Sequence, residues 1–134
     1  FIIKQNKLND KIILIQATNP FTKNIDLSNS INKFDTNKYK LVIGVVESHT
    51  FLWKENNGFI TQINPNIRQR QVAEKEYEED GSYYIFNSQD FIKNNFNIPN
   101  ICVGYNINTN NFHIEIDEPL DFELVKLLNK FLPK

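Results

Sequence analysis

Two acidic side chains stand two residues apart in the segment Phe112–Asp117 (FHIEID). If this segment is a strand, Glu115 and Asp117 share one face, because side chains two residues apart on a strand point the same way. Two carboxylates held close together repel each other, and a cation such as Mg²⁺ with oxygen ligands removes that repulsion. The spacing therefore indicates a candidate Mg²⁺ site. A strand with a solvated acidic face explains the same pattern, and spacing alone favours that simpler interpretation.

The chain has only two arginines, and both lie in the segment Arg68–Gln71 (RQRQ). A guanidinium group binds carboxylate or phosphate through two parallel hydrogen bonds, and the amide of a glutamine can bind hydroxyl groups. Arg68, Arg70 and Gln71 are therefore candidate ligands for an acidic sugar or a triphosphate. A solvated basic loop, balanced by the acidic residues that follow it, accounts equally well for the composition.

Polar residues also follow the first apolar run, Lys11–Gln16 (KIILIQ). Ligands of open α/β sheets bind beyond the carboxyl ends of the strands, so Gln16, Thr18 and Asn19 are candidate substrate contacts. Turn formation and helix capping are the ordinary uses of such residues and remain an alternative.

The elements that must position these residues indicate an α/β domain with a mainly parallel sheet. Lys11–Gln16 and Leu41–Val46 are continuous apolar runs, typical of strands covered on both faces. The segment Ile25–Asn37 between them has apolar residues at helical spacing, which predicts a right-handed βαβ unit. Pro119–Phe131 is predicted to be a helix that begins with proline and carries a leucine-rich stripe.

Shorter elements are predicted between these segments. Asn57-Gly58 lies between two apolar segments and predicts a β-hairpin. Ser82–Phe86 reads as a strand, and Ser88 is predicted to cap a short helix that runs through Asn95. A second hairpin is predicted from the segments on either side of a turn, namely Cys102–Asn106, Asn108–Asn110 and Phe112–Ile116.

The bulk composition excludes several classes of protein. With 134 residues, 40% of them hydrophobic, the chain is long enough for one domain with a core. Its net charge of -1 gives no general attraction to nucleic acid, and no apolar run is long enough to span a membrane. The single cysteine, Cys102, cannot form an intrachain disulfide, which fits a reducing compartment such as the cytoplasm. None of the four glycines lies in a glycine-rich loop that would bind phosphates.

The order of the motifs resembles the later portion of the acylneuraminate cytidylyltransferase family, whose members make CMP-activated sialic acids and related nonulosonates. Ile12–Thr22 (IILIQATNPFT) is similar to the family's apolar strand followed by QPTSPLR. Arg70-Gln71 matches an Arg-Gln pair of the family. Asp80–Phe86 (DGSYYIF) is similar to NGAIYI, and Ile114–Asp117 (IEID) to IDID. The resemblance covers residues 11–131.

This resemblance implies a three-layer, Rossmann-like nucleotidyltransferase fold. Residues 1–134 would be the carboxy-terminal portion of a single cytidylyltransferase domain whose amino-terminal CTP-binding segment is missing. Residues 51–105 would be an excursion that forms the interface of a homodimer. The implied reaction transfers CMP from CTP to an acidic nine-carbon sugar with Mg²⁺ and releases pyrophosphate. The isolated chain is expected to be inactive.

The resemblance also implies roles for individual residues. Gln16 would contact the sugar, Arg70 and Gln71 would hold its acidic or hydroxyl groups, and Glu115 and Asp117 would bind the metal. Arg70 and Asp117 are the residues expected to act in catalysis. The complete set of candidate substrate-binding residues is Gln16, Thr18, Asn19, Arg68, Arg70, Gln71 and Asp80.

Several positions depart from the family pattern. Glu115 is one methylene longer than the family's Asp, and Asp80 replaces an Asn. Ala17, Asn19 and Thr22 replace a Pro, a Ser and an Arg. These departures leave two alternatives open. One is a non-catalytic binding or scaffolding domain that descends from such an enzyme. The other is a cytidylyltransferase for a different acidic sugar, such as a 3-deoxy-octulosonate.

Overall fold

The computed structural model describes residues 11–48, 50–63, 75–95, 97–110 and 113–131. The strands are β1 (Lys11–Ile15), β2 (Leu41–Ser48), β3 (Trp53–Asn56), β4 (Phe59–Gln62), β5 (Glu76–Asn87) and β6 (Val103–Ile107). The helices are α1 (Asn24–Phe34), α2 (Ser88–Lys93) and α3 (Pro119–Leu128). No helix within these ranges is long and apolar enough to span a membrane.

Four strands form a mixed, mainly parallel sheet in the order β1-β5-β2-β6. The strands β2 and β6 are parallel, whereas β1 and β5 are antiparallel with Ile15 opposite Tyr83. The α/β class expected from the sequence is confirmed. The predicted strand–helix–strand unit is present as β1, α1 and β2, but its two strands are not neighbours, because β5 lies between them.

The core lies between α1 and the middle of this sheet. It contains Phe34 of α1, Val42 of β2, and Tyr83 and Ile85 of β5. Leu27, Ile31 and Tyr39 pack against this cluster. Full burial of an apolar side chain of this size stabilises a fold by about 1.5–3 kcal/mol, so this cluster is the main support of the sheet.

The first strand differs from its prediction. A strand covered on both faces was expected, yet Ile13, Leu14 and Ile15 are 37%, 44% and 53% exposed. The reason is that β1 is at the edge of the sheet, where it has one neighbouring strand instead of two.

Residues 47–78 form a second compact unit. It contains the predicted hairpin, in which β3 and β4 are antiparallel and Asn56 pairs with Phe59. Asn57 and Gly58 have φ angles of 53° and 81°, the conformation that favours Asn-Gly in two-residue hairpin turns. This unit is shorter than the predicted excursion of residues 51–105, since residues 79–105 belong to the first unit.

The second predicted hairpin is wrong. β6 pairs in parallel with β2, and residues 113–117 form no strand. The backbone N–H of Asn108 donates to the carbonyl of Val45 on β2 at 2.9 Å, so the chain after β6 stays attached to the parallel neighbour. It does not turn back along β6.

The two later helices begin close to their predicted positions. Asn87, not Ser88, caps α2, because its side chain accepts a hydrogen bond from the N–H of Gln89 at 2.8 Å. Ser88 is instead the buried first residue of this helix, which ends at Lys93 and not at Asn95. α3 begins at Pro119 as predicted, and ends at Leu128.

Candidate functional site

The acidic segment lies against the loop that follows β1. The N–H of Gln16 extends the β1–β5 pairing by donating to the carbonyl of Ser82 at 3.0 Å. Two residues further along, the carbonyl of Thr18 accepts a hydrogen bond of 2.9 Å from the N–H of Ile116. The segment that carries Glu115 is thus held at the carboxyl end of β1, where a substrate site was predicted, although it is not a strand.

The side chains of Gln16 and Glu115 converge on Gly81 of β5. A Cβ atom at Gly81 would lie 3.0 Å from Oε1 of Gln16 and 3.2 Å from each carboxylate oxygen of Glu115. The hydroxyl of Thr18 donates to Oε1 of Glu115 at 3.1 Å. Gly81 has a φ of 64°, so both its backbone conformation and its surroundings favour glycine. Its missing side chain leaves a space bounded by oxygen atoms.

One of these oxygens has no hydrogen-bond partner. Oε1 of Gln16 is buried and accepts no hydrogen bond within the described part of the chain. Buried polar atoms in folded proteins are nearly always paired, because an unpaired one costs about 1–3 kcal/mol. A buried acceptor beside a carboxylate is suited to a ligand that brings a donor or a positive charge.

Asn19 and Asp80 are also in contact, but through a backbone atom. The amide of Asn19 donates to the carbonyl of Asp80 at 2.5 Å. The carboxylate of Asp80 is buried and accepts hydrogen bonds from the N–H and the hydroxyl of Ser82, at 3.0 and 2.6 Å. The Asp80 carboxylate therefore stabilises the backbone of β5 next to the site through hydrogen bonds within this strand.

Asp117 lies at the entrance to α3. Its N–H donates to Oδ2 of Asp121 at 3.1 Å, and the N–H of Glu118 donates to the same oxygen at 2.8 Å. The Asp117 side chain is exposed. The cap of α3 thus fixes the backbone of Asp117 and leaves its carboxylate available.

The carboxylate of Glu115 is a ligand of the kind that Mg²⁺ binds. Glu115 makes no ion pair with any described residue, and one of its oxygens has no hydrogen bond there. Mg²⁺ binds oxygen ligands and usually takes only one or two carboxylates from the protein, together with substrate phosphates. The described residues contain no group of three His, Cys, Asp or Glu side chains that would hold a metal by itself. Residues 113–117 form no strand, so the shared strand face predicted for Glu115 and Asp117 is not formed, and their joint binding of Mg²⁺ remains a prediction from the sequence.

Two neighbours of this site were missed by sequence reasoning. The hydroxyl of Tyr84 donates to the carboxylate of Glu79. Burial, followed by this hydrogen bond and the nearby charges of Glu79 and Glu115, raises the pKa of Tyr84 well above its ordinary value of 10.0. The hydroxyl therefore stays protonated beside Glu115. Nothing in the sequence spacing of Tyr84 and Glu79 indicates that they meet.

The structure thus brings together Gln16, Thr18 and Glu115, with Asn19 joined to the backbone of Asp80. Arg68, Arg70 and Gln71 lie outside the described residues. Their roles remain predictions from the sequence.

The fold is similar to that of a known cytidylyltransferase. A crystal structure of 4-diphosphocytidyl-2C-methyl-D-erythritol synthase from Anaerococcus prevotii superimposes with a TM-score of 0.61 at 12% sequence identity. The match covers 96% of this chain but only 64% of that enzyme, so the chain spans less than two thirds of its length. No family model matches the sequence. No curated protein matches it either. The similarity shows that the chain has a cytidylyltransferase-like, Rossmann-like fold.

Proposed function

We propose that this chain is the carboxy-terminal portion of a cytidylyltransferase that transfers CMP from CTP to a nonulosonic sugar acid and releases pyrophosphate. The observation that carries the proposal is the buried, unpartnered Oε1 of Gln16 beside the carboxylate of Glu115 at the carboxyl end of β1. The cytidylyltransferase-like fold supports the reaction class. The sugar is inferred from the sequence motifs.

In this proposal Gln16 accepts a hydrogen bond from a sugar hydroxyl, which would satisfy its buried oxygen. Glu115 and Asp117 hold Mg²⁺, and Thr18 orients Glu115 through its hydroxyl. The bound cation would neutralise charge on the triphosphate as pyrophosphate leaves.

The remaining predicted residues are assigned to the sugar acid. Arg70, with Arg68 and Gln71, would bind its carboxylate and hydroxyl groups. Asn19 would support the site through its bond to the carbonyl of Asp80. Only Asn19 and Asp80 of this group have described positions, so the assignment of the other three depends on the sequence motifs.

We also propose that the residues that bind CTP belong to polypeptide upstream of Phe1. The chain has no glycine-rich loop of its own, and the apolar side chains of β1 are exposed at the sheet edge. We further propose that residues 51–105 form the interface of a homodimer, which is supported by exposed apolar side chains on the hairpin such as Trp53, Phe59 and Ile60.

We also propose a cytoplasmic location, which is supported by the presence of a single cysteine in the sequence.

The test uses a version of the protein extended upstream, incubated with CTP, Mg²⁺ and a panel of sugar acids. We expect CMP-sugar and pyrophosphate from sialic, legionaminic or pseudaminic acid, and loss of at least about 100-fold in rate for Glu115→Gln and Asp117→Asn. Glu123→Gln is the matched control, because Glu123 is an exposed carboxylate on α3 whose ion pair within the described part of the chain is with Lys126.

Three other outcomes would overturn parts of this proposal. Full turnover by the 134-residue chain would reject the proposal that the CTP-binding residues lie upstream. Exclusive use of 3-deoxy-octulosonate would reject the nonulosonic substrate. Binding of a sugar acid with no turnover by the extended protein would reject catalysis and assign a non-catalytic binding role.

A further inference from the structure

The buried carboxylate of Asp26, on α1, accepts hydrogen bonds from a distant part of the chain. Acidic residues in the first turn of a helix usually interact with the helix's own free N–H groups. Here the N-cap, Lys23, has no side-chain cap, and the Asp26 side chain is only 1% exposed. Its two oxygens each accept the N–H of Thr109 at 3.2 Å, and Oδ2 also accepts the Thr109 hydroxyl at 3.0 Å. The amide of Asn106 adds a longer bond of 3.4 Å.

Thr109 opens the segment that leads from β6 to Glu115. The next residue, Asn110, donates from its side chain to the carbonyl of Phe21 at 2.5 Å. Further along, the N–H of Ile116 donates to the carbonyl of Thr18 at 2.9 Å. The described residues of this segment are therefore attached to the β1–α1 connection and to α1 at several points. Asp26 makes the first attachment, and the carboxylate of Glu115 accepts the hydroxyl of Thr18 further along.

We propose that Asp26 is a positioning residue that sets the place of the Glu115 carboxylate through the segment that begins at Thr109. Hydrogen bonds to an ionised acceptor are about twice as strong as neutral ones, and burial protects them from competing water. Asp26 thus fixes where the segment leaves β6, and the bonds at Asn110 and Ile116 carry that position to Glu115. The expected effect on metal or substrate binding rests on the proposed function. The link between Asp26 and the position of the segment that carries Glu115 does not.

A purely structural role predicts something different, and Ser30 provides the comparison. Ser30 lies one turn after Asp26 on the same helix, is fully buried, and shares a 2.7 Å hydrogen bond with the hydroxyl of Tyr83. Among the described residues, the Ser30 hydroxyl bonds to Tyr83 and not directly to residues 106–110; the Tyr83 hydroxyl in turn lies 3.3 Å from Oδ1 of Asn108. Loss of Ser30 should therefore weaken the fold without releasing the segment.

The first experiment measures amide hydrogen exchange at Ile116 by NMR in the 134-residue chain, taking the local, denaturant-independent component. Asp26→Asn should speed this exchange by about tenfold or more, since it removes a charged acceptor. Thr109→Val should speed it by about threefold, because one of the bonds is lost. Thr109→Ser retains the hydroxyl and should restore the wild-type rate. Ser30→Ala should lower Tm and leave local exchange at Ile116 unchanged.

Two results would overturn the proposal. One is equal local exchange at Ile116 in Asp26→Asn and Ser30→Ala. The other is equal exchange in Thr109→Val and Thr109→Ser. Thr109 is exposed, so its variants decide the matter even if Asp26→Asn fails to fold.

A second experiment separates this proposal from the proposed function. Mn²⁺ alone is titrated into each variant, and paramagnetic broadening is followed at Glu115. We expect saturable broadening in the wild type, and an apparent Kd about tenfold weaker in Asp26→Asn but unchanged in Ser30→Ala. No broadening in the wild type would count against the metal site, while the exchange measurements would still decide the role of Asp26. Equal Mn²⁺ affinity in wild type and Asp26→Asn would refute control of the carboxylate.

Discussion

Gly44 in β2 faces two polar side chains of β5 at close range. A Cβ atom at this position would lie 2.6 Å from Oδ1 of Asp80 and 2.6 Å from the hydroxyl of Ser82. Both groups are buried, so neither can move into solvent. We expect Gly44→Ala to lower the free energy of unfolding by about 1–3 kcal/mol, the usual cost of overpacking. Chemical denaturation measures this, and a change below about 0.5 kcal/mol would contradict the stated crowding.

Gly58 is the control for Gly44. A Cβ atom there meets no neighbour, but its φ of 81° disfavours any side chain. Gly58→Ala should therefore cost about 1–2 kcal/mol through backbone conformation alone. NMR shifts caused by Gly58→Ala should be confined to residues of the hairpin. Those caused by Gly44→Ala should appear at Asp80 and Ser82.

The buried Tyr83 is expected to lower the free energy of unfolding at alkaline pH. Burial is the main cause that raises its pKa above the ordinary 10.0, and the hydrogen bond with Ser30 opposes this in part. Above about pH 10 the unfolded chain loses this proton while the folded protein retains it, so the free energy of unfolding falls as pH rises. The fall continues until pH passes the raised pKa of the folded state. Urea denaturation at stepped pH should show this loss.

The matching variants are Tyr83→Phe and Tyr105→Phe. Tyr83→Phe should be less stable at neutral pH, because it loses a buried hydrogen bond, but its stability should fall less steeply above about pH 10. Tyr105→Phe, at a tyrosine that is 43% exposed, is the control for removing a phenol hydroxyl from the surface. An unchanged slope in Tyr83→Phe would show that another group controls the alkaline transition.

At the residue scale the sequence singled out Gln16, Thr18 and Glu115 as site candidates, but their roles remain predictions. The structure adds that Thr18 donates to Glu115 and that the side chains of Gln16 and Glu115 both lie beside Gly81, although Glu115 is not on the predicted strand. The use of Asp80 was not predictable, because the positive φ of Gly81 breaks the strand alternation on which such reasoning depends.

At the scale of elements, the cap of α3 connects helix stability to the position of Asp117. Oδ2 of Asp121 accepts the N–H groups of both Asp117 and Glu118. Asp121→Ala should therefore cost about 0.5–2 kcal/mol and increase amide exchange at Asp117. Glu123→Ala on the same helix removes only an exposed pair with Lys126 and should cost about 0.5 kcal/mol or less. Equal costs for the two variants would contradict the capping role.

The elements themselves were predictable wherever local chemistry determines them. The apolar runs of β1 and β2, the Asn-Gly turn of the hairpin and the proline at the start of α3 each indicated the observed structure. The prediction of the second hairpin is wrong because residues 108–110, although they favour turns, bond to distant parts of the chain. Thr109 donates to the carboxylate of Asp26, and the side chain of Asn110 donates to the carbonyl of Phe21. Asp26 and Ser30 lie four residues apart on α1 and are both buried, which the sequence does not indicate, because polar residues at this spacing usually form the solvated face of a helix.

At the scale of the whole molecule, the sheet has an apolar edge without cover from any described residue. β1 exposes Ile13, Leu14 and Ile15 in succession, and it pairs with β5 on one side only. Exposed, apolar edge strands are sites where chains associate, because unpaired backbone groups and apolar side chains are presented together. The sequence pattern of β1 predicts a covered strand, so the edge is the place where pattern and structure disagree most.

This disagreement predicts self-association of the 134-residue chain through β1. Ile15→Lys should reduce the association that adds to the homodimer proposed for residues 51–105, as measured by sedimentation velocity, because a charged edge residue opposes strand pairing. Ile25→Lys is the matched control: Ile25 is 54% exposed, close to the 53% of Ile15, but it lies on the helix α1 and not on a strand. Association should therefore persist in Ile25→Lys. If both variants behaved as the wild type does, association would have to arise at another surface, and if both became monomeric, general hydrophobicity rather than the β1 edge would be the cause.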